Sequence, residues 1–165
     1  MNKGVQIFCM NDKAVAPTKG HETDAGWDIS IVGRDFEKSY PTYARYYTRL
    51  VVVFNDPTLY GELYARSSTA KLGVCLANGV GIIDPSYRGE LLVSLASLEN
   101  SPKNNLGMPA HYLHNQPFPI RIAQLLIKRR DFTQHLVLEA KMWNEVEKEY
   151  QTDRGAGGFG STGFM

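Results

Sequence analysis

The chain has 165 residues, enough for one domain with a real core and too few for a second domain of ordinary size. Eighteen lysines and arginines against 17 acidic residues leave a formal net charge of +1, which gives no general pull toward nucleic acid or an anionic membrane; any anion site must be local. No run of about 18 apolar residues occurs, and Met1-Asn2-Lys3-Gly4 leads straight into a strand-like segment, so a soluble, intracellular protein is expected, cytoplasmic or nuclear.

The apolar runs are short, rich in Val, Ile, Leu and Tyr, and punctuated by Gly, Pro, Asn and Asp, which predicts an all-β barrel or sandwich. In chain order, strands are expected over Val5–Met10, Trp27–Val32, Tyr46–Phe54, Gly61–Ala65, Cys75–Ile83, Glu90–Leu98, Ile120–Lys128 and Leu136–Trp143. Cys9 and Cys75, the only cysteines, lie in I-F-C-M and G-V-C-L and are expected as buried thiols rather than a disulfide. Trp27, Ile29 and Ile31 alternate with Asp28 and Ser30, so a period of two puts Asp28 opposite the apolar face, free for solvent or a ligand. Ser68 to Leu72 reads as little more than one helical turn, ended by Gly73. Residues 99 to 119 carry four prolines and no clear period and read as a surface insertion. The barrel is expected over 1–150, followed by a glycine-rich C-terminal segment over 151–165.

Three stretches carry chemistry beyond scaffolding. A-N-G-V-G-I-I-D-P-S-Y-R-G-E-L, Ala77 to Leu91, reads as a tight hairpin turning at Asp84 to Tyr87; glycines 79 and 81 inside its first strand also suit the close approach of a planar ligand edge. In A-R-S-S-T-A-K-L-G, Ala65 to Gly73, a guanidinium and two hydroxyls meet at a strand-to-turn transition, which suits phosphate oxygens, while a serine capping the turn would explain the hydroxyls equally well. The tail R-G-A-G-G-F-G-S-T-G, Arg154 to Gly163, is either a low-complexity end or a set of backbone amides able to turn toward an anion around one stacking aromatic. It is no Walker loop, because no G-K-[ST] follows. His111 and His114 have neither a cysteine nor an acidic partner nearby to complete a zinc site.

In their order along the chain, five segments resemble the motifs of the homotrimeric deoxyuridine triphosphatases: D-A-G-W-D-I at 24 to 29, A-R-S-S at 65 to 68, N-G-V-G-I-I-D-P-S-Y-R-G-E at 78 to 90, R-I-A-Q-L at 121 to 125, and D-R-G-A-G-G-F-G-S-T-G at 153 to 163. The resemblance implies a β-barrel or jelly-roll homotrimer with shared active sites that hydrolyses dUTP to dUMP and pyrophosphate with Mg²⁺, with no nucleic acid or membrane partner. It implies that Asp84 orients and deprotonates the attacking water, that Asp28 reaches the Mg²⁺ through water, and that Arg66, Ser67, Ser68 and Gln124 grip phosphate oxygens. Backbone from Asn78 through Gly81, Ile82 and Ile83 would pair with the uracil edge, Tyr87 would pack under the deoxyribose, and Phe159 with Arg154, Gly160, Ser161 and Thr162 would close over the base and γ-phosphate.

The chain departs from that pattern in its longer connection before R-I-A-Q and in the F-P-I that stands where a Gly and an acidic residue usually precede the arginine, so Arg121 carries no expected role beyond strand pairing. Three rivals share parts of the pattern. A dCTP deaminase resembles the segment around Asp84 but places a glutamate five residues after the glycine equivalent to Gly89, where this chain has Ser94. A non-catalytic nucleotide-binding regulatory trimer would be marked by loss of Asp84, Arg154 or Phe159, and a structural jelly-roll trimer leaves the tail unexplained.

Overall fold

A computed structural model describes residues 4–40, 42–98, 113 and 117–131. The compact unit containing them runs through Asp131. The strand expected over 136–143, the boundary expected near 150 and the tail from Arg154 lie outside the described residues, as does most of the 99–119 insertion.

The described chain is all-β, as expected, with ten strands and a short 3-10 helix at Thr69–Leu72. β1 (Val5–Cys9) pairs with β5 (Leu50–Phe54). A first four-stranded sheet runs β2 (Trp27–Ile31), β10 (Ile120–Arg129), β6 (Leu59–Ala65), β8 (Gly81–Ile83), and a second runs β3 (Gly33–Tyr40), β4 (Tyr43–Tyr47), β9 (Leu92–Ser97), β7 (Val74–Leu76). Every ladder is antiparallel, so each strand can bury one face and leave the other outside. One core results: Ile29, Ile31, Leu63 and Leu125 enter it from the first sheet, and Tyr46, Val93 and Leu95 from the second. Leu113, inside the insertion, is buried in the same core, and Phe118 at its end packs tilted against Tyr46 with ring centroids 6.4 Å apart.

Several boundaries differ from expectation for identifiable reasons. The run Tyr46–Phe54 is two strands, broken where Arg49 takes φ 58°. The run Cys75–Ile83 is also two, because Gly79 turns with φ 68° and β8 leaves β7's sheet to pair with β6. Ala77–Leu91 is therefore no tight hairpin. β7 pairs with β9, and the chain between them makes an excursion to the edge of the other sheet and back. β3 is an unexpected strand; its G-R-D-F-E-K-S-Y has little apolar alternation, and it lies at a sheet edge with Phe36 76% exposed. Both cysteines are free thiols, but Cys9 is exposed and Cys75 only half-buried, so neither is the core residue expected.

Candidate active site

The end of β6 delivers the first cluster. Beyond Ala65 the chain turns into the 3-10 helix Thr69–Leu72, and the turn is tied to β10 through one carbonyl. Ile122 O accepts from the Arg66 amide (3.2 Å) and from the buried Thr69 hydroxyl (2.6 Å). That carbonyl sits where the β2–β10 register slips between Arg121 and Ala123, and such a bulge re-aims neighbouring side chains. Arg66 Nε lies 2.7 Å from Asp28 Oδ1, and Arg121 Nη1 lies 3.4 Å from Asp28 Oδ2. Asp28 is thus not free, as its place on the strand suggested. Both its oxygens face guanidinium groups, and its side chain is only 14% exposed. Two arginines around one carboxylate leave the cluster net positive, a local anion site on a nearly neutral chain.

Arg66 Nη1 also donates to Ser68 Oγ at 3.3 Å. Ser68 stands at the helix N-cap but makes no side-chain capping bond, so capping does not account for the hydroxyl. Ser67 is exposed beside it. Among the described residues the amides of Ser67 and Ser68 find no acceptor, so they add two N–H donors to the guanidinium groups and hydroxyls. Gln124 stands opposite Asp28 on β2 and Tyr64 on β6, and its Nε2 donates to Ala65 O at 3.4 Å. Arg121, given no role from its motif, belongs to this cluster; its position two residues before Ala123 across a bulge is not legible from spacing.

The second cluster surrounds a cavity of about 200 Å³ walled by Leu63, Ile83, Leu91 and Leu92 and rimmed by Asn78, Gly81, Ile82, Asp84, Tyr87 and Glu90. β8 forms its lip. It is an edge strand, paired only with β6, so its other edge offers backbone N–H and C=O groups without a strand neighbour among the described residues. Gly81 sits where a Cβ would come within 3.3 Å of Leu63 Cβ and 3.4 Å of Asn78 Nδ2, so close packing already asks for a small residue there. Asp84 follows β8 with its carboxylate exposed, making no hydrogen bond or ion pair to another described residue. The turn closes with Tyr87 N–H to Asp84 O at 3.0 Å, and Tyr87 Oη then donates to Glu90 O at 3.0 Å. Gly89 permits that pose, since a Cβ there would lie 2.3 Å from Tyr87 Oη. Glu90, which the motif resemblance leaves without a role, has its carboxylate bound to Arg49.

The two clusters lie apart within one chain. Ile83 stands opposite Gly61, which places Asp84 near the level of Tyr60, whereas Arg66 follows the far end of β6. At about 3.3 Å per residue, that run of β6 separates them by roughly 20 Å. A larger cavity, about 380 Å³, is lined among the described residues by Val5, Ile7, Pro17, Trp27 and Ile127, none of them charged. No three acidic, histidine or cysteine side chains among the described residues gather to hold a metal directly. His111, His114 and the tail residues Arg154, Phe159, Gly160, Ser161 and Thr162 lie outside the described residues. No helix among the described residues is long and apolar enough to cross a membrane.

Residues 12–105 match the family model described as dUTPase. The chain is 32% identical over 157 residues to a deoxyuridine 5'-triphosphate nucleotidohydrolase of Clostridium kluyveri, covering 94% of this chain and 95% of that one. It is 35% identical over 153 residues to the Haemophilus influenzae protein of the same name, covering 89% and 86%. Among solved structures, a mutant dUTPase of Staphylococcus bacteriophage 80alpha with dUpNHpp superposes with a TM-score of 0.70 at 23% identity, over 99% of this chain and 100% of that one. The dUTPase of the S. aureus phage phi11 gives 0.60 at 20%, over 82% and 96%.

Proposed function

The chain belongs to the dUTPase family and hydrolyses dUTP, and on that premise we propose how its own residues do so, at sites assembled between copies of the chain in a homotrimer. The observation that carries the reading is the edge strand β8, with bare backbone on one side of the cavity, Asp84 just beyond it and Tyr87 folded against Glu90 O. Uracil pairs with the open edge of β8 between Asn78 and Ile83 as a further strand would. Cytosine has its donor and acceptor reversed at that edge and leaves buried groups unpaired, a mismatch that costs far more than a missing contact. Tyr87 packs under the deoxyribose, where a 2′-hydroxyl would crowd the ring.

Asp84 is an exposed carboxylate without a protein partner among the described residues, so it can hold a water, aim it at the α-phosphorus and take its proton. The bond from that phosphorus to the bridging oxygen of the β-phosphate breaks, and pyrophosphate leaves. Arg66, Ser67, Ser68 and Gln124 bind the phosphate oxygens and stabilise the charge that moves onto the leaving group. Arg121 adds a second guanidinium to that side. Separation along β6 supports a shared site: a nucleotide in the pocket beside Asp84 would meet the Arg66 cluster of another copy rather than its own.

The donor set fits a magnesium ion carried by the triphosphate rather than one caged by protein, because among the described residues Asp28 is the only carboxylate in the arginine cluster. Its carboxylate has lone pairs left beyond the two arginines to accept from a metal-bound water. Magnesium, when bound, neutralises phosphate charge and orients the leaving group. Phe159, with Arg154, Gly160, Ser161 and Thr162, closes the site, excluding bulk water during turnover.

Pyrophosphate release from dUTP, UTP, dTTP and dCTP with Mg²⁺ tests this reading, using the intact chain and Asp84→Asn. The intact chain should act on dUTP at least about 10³-fold better than on dCTP, and Asp84→Asn should lower kcat by about 10²- to 10⁴-fold. No release from dUTP, or an unimpaired Asp84→Asn, would overturn it.

A further inference from the structure

Arg49 is the only non-glycine among the described residues at positive φ, 58°, a conformation that glycine adopts freely and a side chain resists. A glycine would serve the short β4–β5 turn better, so the arginine side chain must do something the turn itself does not require. What it touches is specific. Its guanidinium carbon sits 4.0 Å from the centroid of the Tyr47 ring, Nη1 lies 3.1 Å from Glu90 Oε2, and its backbone N–H donates to Glu90 Oε1 at 2.7 Å. The flanking residues hold the same segment: Thr48 Oγ1 donates to Leu91 O at 2.6 Å, and Leu91 N–H donates to Leu50 O at 2.8 Å. Glu90, pinned at its side chain, presents its own carbonyl to Tyr87 Oη. The connection therefore runs from Tyr47 through Arg49 and Glu90 to the Tyr87 ring on the cavity rim.

We infer that Arg49 is a positioning residue for sugar selection: by fixing Glu90 it holds Tyr87 where the ring meets deoxyribose, and so sets the preference for dUTP over UTP. This rests on the placement of Tyr87 under the sugar proposed above. Packing at the sugar is felt in ground state and transition state alike, so its loss appears mainly in KM.

The experiment measures kcat and KM for dUTP and UTP, with the thermal midpoint, for the intact chain and for Arg49→Gly, Arg49→Lys, Glu90→Gln and Tyr87→Phe. Arg49→Gly relieves the backbone while removing the guanidinium, so folding survives the test. It should lower the dUTP/UTP ratio of kcat/KM about tenfold, through a raised KM for dUTP, the scale of one positioned contact. Arg49→Lys, which keeps a charge facing Glu90, should recover part of the ratio, and Glu90→Gln should fall between. Tyr87→Phe, which frees the ring from Glu90 O, should lower the ratio as Arg49→Gly does. An Arg49→Gly protein that shifts only in thermal midpoint while Tyr87→Phe loses discrimination would overturn the inference and leave the sugar reading standing. A ratio unmoved in both variants, or no hydrolysis of dUTP by the intact chain, would overturn both.

Discussion

Replacing Gly89 by alanine tests the nucleoside pocket at its tightest point. The added Cβ would lie 2.3 Å from Tyr87 Oη, 2.6 Å from Cζ and 3.0 Å from Cε2. Ordinary non-bonded contact is about 3.5 Å, so the ring edge must retreat by roughly 1 Å. Tyr87 is 44% exposed and has solvent to move into, so the fold should yield at little cost. The loss is mainly the bond to Glu90 O, about 1 kcal/mol, or roughly 2–4 °C in Tm for a chain of this size. Activity should suffer more. A 1 Å displacement of a positioning group can cost about 10²-fold, so kcat/KM for dUTP should fall between about tenfold and a hundredfold while UTP is less affected. Steady-state kinetics on both nucleotides, alongside thermal unfolding, reads the two effects separately. A Gly89→Ala protein that keeps the intact chain's dUTP/UTP ratio would refute the pose assigned to Tyr87.

Cutting the chain before Arg154 should leave the thermal midpoint nearly unchanged and lower kcat for dUTP severely; equal turnover by the cut and intact chains would remove the closing role assigned to Phe159. Burial raises the Tyr46 phenol to about 12 from 10.0, with Arg34 pulling the other way. A raised pKa means stability that is intact below pH 10 and lost as pH rises through 12, about 2–3 kcal/mol at roughly 1.4 kcal/mol per unit. Tyr46→Phe should remove that alkaline limb in denaturant titrations across pH 9 to 12. At the acid end, the Arg45 guanidinium beside Asp35 holds its carboxyl below the usual range, with the Tyr47 hydroxyl and Lys38 amide adding to the effect against the opposing cost of burial. That contribution is present above the ordinary carboxylate range and fades as pH falls through Asp35's own lower value. Asp35→Asn should therefore be less stable at neutral pH and show a flatter acid limb in the same titrations.

The all-β class was legible in the sequence. β1, β2, β6, β9 and β10 were legible because runs such as W-D-I-S-I and L-L-V-S-L-A-S show apolar residues at strand spacing. Breaks inside apolar runs were not legible: nothing in Y-T-R-L-V marks Arg49 as the residue that turns, since left-handed backbone at a non-glycine is imposed by tertiary contacts rather than local preference. Gly79 and Gly81 look alike in the sequence, yet the structure separates them, Gly79 as a turn and Gly81 as a close approach to Leu63. Strand alternation sets Asp28 off the apolar face but does not reveal the two arginines beside it, because they come from β10 and the end of β6, distant in the chain. The roughly 20 Å between Asp84 and Arg66 follows from register, which no single-strand pattern contains.

That separation supplies the sharpest test. Asp84→Asn and Arg66→Ala chains should each be nearly inactive alone. Denatured together in equal amounts and refolded into mixed assemblies, they should recover pyrophosphate release from dUTP at about a quarter of the unsubstituted rate. In a closed symmetric assembly about one site in four would pair an intact Asp84 from one chain with an intact Arg66 from another. A mixture as inactive as its components would mean that each site is built within a single chain, contradicting the shared-site account.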